Sequence, residues 1–337
     1  MEKILLIILT TAMFGHVNNV YAQSPLTDVD GIVSAESCFA NERNTYDGFI
    51  TYSVQHLKKT RGRKAKNMTN KLLEKRLTNK RFMQLKSNYD CQIFSYNVDN
   101  LTVDAFYLAS KSAGENVNSA LKPLAIFNRG GNKDYGSLSV LSVLGNHPIV
   151  DAGYVMLASQ YRTNDEFGGK DLNDVMQLVT IGQKLPHVNP SNIHMIGVSR
   201  GGMMTYMAAR KLKTLKSITV WAGPTNLEGF LSYRPSMERV YQARIPQYET
   251  QKSAQLAERS VMKWSHELPS KLPILILHGD ADKAVNVIHA TTIAKQLEEN
   301  KQPHKLVIYK GDNHGLRKNR QQAYQEIIQW MNANNSH

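Results

Sequence analysis

The stretch Gly197-Val198-Ser199-Arg200-Gly201-Gly202 decides how this chain is read. It stands between a short apolar run, 193–198, and a helix-like run, 203–212. A strand that turns sharply into a helix, with Ser at the apex and Gly on either side, presents a serine hydroxyl at the top of a sheet. The apex residue must take a sparsely populated backbone conformation to hold that hydroxyl clear. Side chains at 197 and 201 would collide with the returning helix, so glycine is required at both. The pentapeptide alone is weak, because a plain glycine-containing βα turn has the same composition. Its weight depends on what flanks it.

Outward from the motif, apolar runs alternate with amphipathic ones. Strands are expected at 121–127, 154–159, 193–198, 217–221, 273–278 and 305–309. Helices are expected at 171–185, where Leu172, Val175, Met176 and Val179 share a face, at 290–297 and at 323–331. Continuous apolar strands separated by such helices predict an α/β fold with a mostly parallel, doubly wound sheet. Cys91 to Val98 and Leu101 to Ala109, joined by the turn dipeptide Asp99-Asn100, predict an antiparallel hairpin at its edge. A polar loop is expected at 111–118. About fifty residues between Trp221 and Pro273 contain no strand pattern and predict a helical insertion at 225–270, either a lid or a packing extension. Its Tyr233, Met237, Tyr241, Tyr248, Met262 and Trp264 are candidates for pocket lining or for the insertion's own core.

In a sheet of this kind ligands sit at the carboxyl ends of the strands. Ser199 follows one strand. Asp280 and Asp282 follow the next candidate strand but one, and His314 follows the last, in Gly311-Asp312-Asn313-His314-Gly315. The order Ser, Asp, His, each in the loop after its own strand, is that of the α/β-hydrolase triad. His314 would take the Ser199 proton and return it to the leaving group, and a carboxylate would fix the imidazole tautomer. Negative charge on the tetrahedral intermediate needs backbone donors. Arg200 supplies one, for its amide rather than its charge. Gly130, in the loop Asn128-Arg129-Gly130-Gly131-Asn132, supplies the other. Arg129, Gly131, Tyr161 and Trp221 are candidate substrate contacts. Spacing alone leaves Asp280 and Asp282 as alternatives.

With these motifs in place, residues from about 91 to 333 resemble the catalytic domain of the prolyl oligopeptidase family of serine peptidases. The family's Gly-x-Ser-x-Gly-Gly is matched by Gly197, Ser199, Gly201 and Gly202. Its His-Gly-x-x-Asp-x-x-Val is matched by His278, Gly279, Asp282 and Val285, and its His-Gly by His314-Gly315. The resemblance therefore implies Asp282 as the acid. Tyr161-Arg162, Glu166-Phe167-Gly168-Gly169 and Asp171 resemble family positions around the third sheet strand. Two departures stand out. Many members carry a Tyr hydroxyl donor before the oxyanion glycine, where this chain has Arg129. The larger members carry a β-propeller, for which 23–90 is far too short; access would then fall to the insertion and the N-terminal segment.

Composition sets the remaining bounds. The chain has 337 residues, 42% hydrophobic and 20% charged, which suits a globular protein with a substantial core. Lys3, an apolar run at 4–14 and Val20-Tyr21-Ala22 predict a secretory leader over 1–22, cut after Ala22, and hence a secreted or periplasmic protein. The apolar run is short for a bilayer, so stable membrane insertion is not expected. The formal charge is +13. Its excess concentrates at 58–81, in a partly helical N-terminal segment over 23–90. With no recognition motif beside it, this block reads as a solvated basic face and not as a nucleic-acid site. Cys38 and Cys91 have neither metal nor redox spacing, and whether they are bridged is open. No cofactor or metal is expected. The resemblance implies an exported peptidase that cleaves peptides through an acyl-enzyme. The same triad would serve a carboxylesterase acting on small esters, for instance acylated carbohydrates. A non-catalytic binding protein on a hydrolase scaffold fits the intact Ser, Asp and His less well. Nothing in the chain fixes oligomeric state.

Overall fold

A computed structural model describes residues 24–111 and 120–336. The leader expected over 1–22 and most of the polar loop expected at 111–118 lie outside the described residues. A nine-stranded sheet runs through the molecule in the order β1-β2-β3-β5-β4-β6-β7-β8-β9. These strands are β1 (Ile32–Ser37), β2 (Tyr89–Val98), β3 (Leu101–Ser110), β4 (Lys122–Asn128), β5 (Val155–Ser159), β6 (Val188–Val198), β7 (Leu215–Trp221), β8 (Ile274–Gly279) and β9 (His304–Tyr309). From β5 to β9 every pairing is parallel, whereas β1, β2 and β3 run antiparallel. The turn between β2 and β3 puts both Asp99 and Asn100 at positive φ, 48° and 59°. That is what a type I′ hairpin requires.

The side-chain alternation of each strand feeds two cores. Leu124, Ile126, Val155 and Leu157 join one cluster, while Ala125, Met156 and Ala158 join the other. Helices α1 (Tyr46–Arg61), α2 (Asn70–Glu74), α3 (Asn79–Asn88), α4 (Val140–Leu144) and α5 (His147–Asp151) cover the second face. Helices α6 (Asp171–Gln183) and α7 (Arg200–Lys211) cover the first. Four short helices, α8 (Leu227–Tyr233), α9 (Glu238–Arg244), α10 (Tyr248–Glu258) and α11 (Val261–Trp264), make up the insertion between β7 and β8. Tyr241, Tyr248 and Trp264 are buried inside it, and Tyr233 is 44% exposed. Helices α12 (Ile288–Glu299) and α13 (Arg320–Ala333) close the two faces.

Residues 23–90 are less separate than their composition suggests. Strand β1 extends the sheet beyond the hairpin, pairing antiparallel with β2. Phe49, Ile50, Phe82 and Leu85 from α1 and α3 share one core with Leu275, Leu277 and Ile327. Cys38 and Cys91 form a disulfide, with Cα atoms 5.3 Å apart. Beside it the Cys38 amide donates to Cys91 O at 2.8 Å. The bridge therefore fastens the end of β1 to the third residue of β2. Among the described residues no helix is long and apolar enough to cross a membrane.

Candidate active site

Ser199 stands between β6 and α7 with φ 58° and ψ −125°. Its amide donates to Trp221 O at 2.8 Å, and its carbonyl accepts from Gly202 N at 2.8 Å. The two flanking glycines answer to different neighbours. A Cβ on Gly197 would lie 2.1 Å from Gly201 O, in the returning helix, as the motif predicts. A Cβ on Gly201 would instead lie 2.0 Å from Asn128 O, at the end of β4. Thus α7 is pressed against the loop that faces Ser199.

That loop runs from Arg129 to Gly136. Gly130 lies so close to the elbow that a Cβ on it would sit 3.0 Å from Ser199 Cβ. Several buried groups hold the loop there. Arg129 is buried, and its guanidinium donates to Gln160 O (2.6 and 2.9 Å), Gly130 O (3.2 Å) and Lys133 O (3.0 Å). Burial lowers its pKa to about 10. The Tyr161 hydroxyl donates to Arg129 O at 3.0 Å, with its ring packed against both Arg129 and Arg200. Asp165 accepts from the Lys133 amide at 2.8 Å.

Arg200 carries more than its amide. Its amide opens α7, but its side chain is equally committed. The guanidinium is buried between Tyr161 and Phe167, pairs with Asp165 at 2.9 Å and with Asp171, and donates to Gly131 O at 3.0 Å. Burial opposes its charge, yet Asp171 and Asp165 outweigh that cost and raise its pKa. Asp171 also accepts from the Glu166, Gly168 and Gly169 amides. The insertion grips the same turn, as Arg259 donates to Phe167 O (2.9 Å) and Glu166 O (3.2 Å).

The candidate acid and base, Asp282 and His314, come from the loops after β8 and β9. His314 Nδ1 lies 2.7 Å from Asp282 Oδ2. The other oxygen of Asp282 accepts from the amides of Ala284 (2.7 Å) and Val285 (3.1 Å). His278 Nε2 donates to Val285 O at 2.9 Å and lies 3.3 Å from Asp282 Oδ2. A carbonyl can only accept, so that nitrogen carries a proton. Burial pushes the Asp282 carboxyl up, but His278, His314 and the Val285 amide overcome this and hold it well below the usual carboxylate range. Asp280, the alternative left open by spacing, faces elsewhere. It accepts from the Gly311 amide at 2.6 Å and ties the two loops together. Asp312 is fully buried and gathers the amides of Asn313, Lys318 and Asn319, which shapes the turn bearing His314. Trp221 Nε1 donates to His314 O at 3.2 Å.

Ser199 and His314 open onto one cavity of about 660 Å³. Phe127, Ile149, Ile196 and Ile327 lie among its apolar lining residues, and Phe230, Met237 and Val240 of the insertion also line it. Of the candidate substrate contacts, Arg129, Gly131 and Trp221 line it as well. Tyr161 does not. It is 4% exposed and braces Arg129 from beneath, because its hydroxyl is spent on a backbone carbonyl. Arg129, for its part, turns its guanidinium to Gln160 O and to the loop's own carbonyls. Sequence reasoning missed Asp165, His278 as a partner of Asp282, and Asp312. An Asp two residues before His314 was a usable signal, since such side chains cap turns. Among the described residues, no group of three His, Cys, Asp or Glu side chains is placed to hold a metal ion.

The prolyl oligopeptidase family model matches residues 152–336, more than half of the chain. The chain belongs to the prolyl oligopeptidase family. Its mostly parallel sheet with flanking helices is accordingly that of the family's α/β-hydrolase catalytic domain. One relative is an uncharacterized peptidase of Bacillus subtilis (strain 168), YtmA, 23% identical over 214 residues, 61% of this chain and 81% of that one. A second peptidase of that organism, YuxL, is 28% identical over 155 residues, 45% of this chain but 23% of that one. Among solved structures, an acylaminoacyl peptidase of Pyrococcus horikoshii matches with TM-score 0.62 and 17% identity, over 79% of this chain and 44% of that one. A puromycin-hydrolyzing peptidase of Mycobacterium tuberculosis matches with TM-score 0.63 and 18% identity, over 72% and 39%. At such identities the structural likeness carries the fold alone. The chain spans less than half the length of these two solved proteins.

Proposed function

We propose that this chain is an exported serine peptidase that cleaves peptide bonds through an acyl-enzyme on Ser199. The observation that carries the reading is the strained apex at Ser199 opening onto the same cavity as a His314 whose Nδ1 is held by buried Asp282. With Nδ1 committed to the carboxylate, Nε2 is the nitrogen left for the Ser199 hydroxyl. Ser199 Oγ attacks the carbonyl carbon as its proton passes to Nε2. The amine then leaves with that proton, and water, deprotonated by the same nitrogen, releases the acyl group. The developing oxyanion is held by the Arg200 and Gly130 amides, on a loop that buried Arg129, Tyr161 and Asp165 keep in place. Access falls to the insertion and to α1, since both contribute to the cavity wall. Export is supported by the leader pattern at 1–22 and by the disulfide, which suits an oxidising compartment.

The test is direct. A fluorophosphonate probe is expected to label the folded protein and to leave Ser199→Ala unlabelled. Short peptide amides are then offered beside aryl esters. Turnover of both fits the proposal, while turnover confined to esters overturns the peptidase reading in favour of a carboxylesterase. No labelling of the folded wild type overturns both.

A further inference from the structure

The cavity at Ser199 has a charge asymmetry that hydrolysis itself does not need. Its ionic lining is cationic, from Arg61, Lys64, Arg129, Arg200, Arg234 and Arg320, with no carboxylate among the described lining residues. Arg129 and Arg200 are buried and consumed by loop carbonyls and by Asp165 and Asp171. The other four are exposed, and none has a carboxylate partner among the described residues. They come from three separate elements. Arg61 ends α1, and Lys64 follows it; both lean on Tyr135, with Lys64 Nζ 2.9 Å from its hydroxyl. Arg234 follows α8, and its guanidinium donates to Ala284 O at 3.5 Å. Arg320 opens α13 and lies over the rings of Trp221 and Tyr324. The first turn of α13 carries no acidic residue, so Arg320 adds its charge to the positive end of the helix dipole. The field acts on neighbours: a hydrogen bond from Lys64, outweighing burial, holds the Tyr135 phenol below its ordinary value. Unpaired like charges converging on a low-dielectric cavity focus attraction for an anion.

We infer that the substrate carries a carboxylate, from an acidic side chain or a free C-terminus close to the scissile bond, which these four cations receive while an apolar side chain rests on the floor. The inference rests on the peptidase reading above and deepens it to a substrate class. Binding is measured in Ser199→Ala, which cannot turn substrate over. One short peptide is titrated calorimetrically in Glu and Gln forms, and with a C-terminal carboxylate or carboxamide. At least one carboxylate form is expected to bind about tenfold more tightly than its neutral counterpart at low salt. That ratio should shrink as salt is raised. The pair that shows it tells side chain from terminus. Converting Arg61, Lys64, Arg234 and Arg320 to Gln together should bring the ratio near one and leave the neutral peptide's affinity and the melting temperature in place. Equal binding of acidic and neutral forms, or a ratio that survives the fourfold variant, overturns the proposal. Wild-type turnover of the neutral peptide is followed separately. Its absence counts against the peptidase reading, not against the charge preference.

Discussion

Arg200 sits at the junction of Ser199, the loop facing it and the turn at 165–171. Removing its side chain would leave Asp165 and Asp171 buried without their cation, which costs about 3–5 kcal/mol in comparable settings. Arg200→Met should therefore lower the denaturation midpoint markedly, and a midpoint equal to wild type would mean the ion pairs are dispensable. Asp282 poses a different question, because in the proposed mechanism it would act through His314. Asp282→Asn is expected to leave the fold in place but to present the imidazole in the wrong tautomer, with kcat falling on the order of 10⁴-fold. The measurement is kcat beside thermal stability. Equal losses in both would mean that Asp282 is structural only. Asp280, two residues earlier, is predicted to matter little for kcat, since its carboxylate is occupied by the Gly311 amide.

Among the elements, the parallel strands and their helices were legible because each is apolar on both faces or along one stripe. The hairpin was legible from Asp99-Asn100. Strand β1 was not. Five of its six residues, Val33 to Ser37, face solvent, so it carries no apolar alternation to read, and its place depends on pairing with β2. The candidate residues Ser199, Asp282 and His314 were legible because each follows its own strand. The supporting shell was not. Asp165, His278 and Asp312 act through backbone amides and neighbouring rings that only the folded loops bring near. Nor did the basic stretch at 58–81 announce that Arg61 and Lys64 reach the cavity, since a charge run looks the same on any solvated helix. The disulfide joining β1 to β2 encloses a separation of 53 residues. A loop of that size implies a stabilisation of about 4 kcal/mol on chain-entropy grounds. Cys38→Ala with Cys91→Ala should lower the urea midpoint accordingly. An unchanged midpoint would show that the packing of α1 and α3 suffices.

For the whole molecule, two buried imidazoles set an acid limit. Burial lowers the pKa of His194 to about 4. Burial, aided by the charge of His278, does the same for His289. Both folded values lie below the ordinary histidine value of about 6.5. Protonation therefore favours the unfolded chain. Stability is complete above about 6.5 and is lost as pH falls towards the folded value near 4, by about 3 kcal/mol for each group. Melting temperature should fall steeply over that window, and His194→Gln should flatten the fall. A melting temperature level across the window would contradict the assignment.

The bridge between Cys38 and Cys91 has one more consequence, for limited proteolysis. Every bond of α1, α2 and α3 lies between these two cysteines. A single cut anywhere in that stretch would yield two chains that stay covalently joined, with the rim cations Arg61 and Lys64 still tethered to the sheet. Such a nicked molecule would migrate as one species until a reductant parted it.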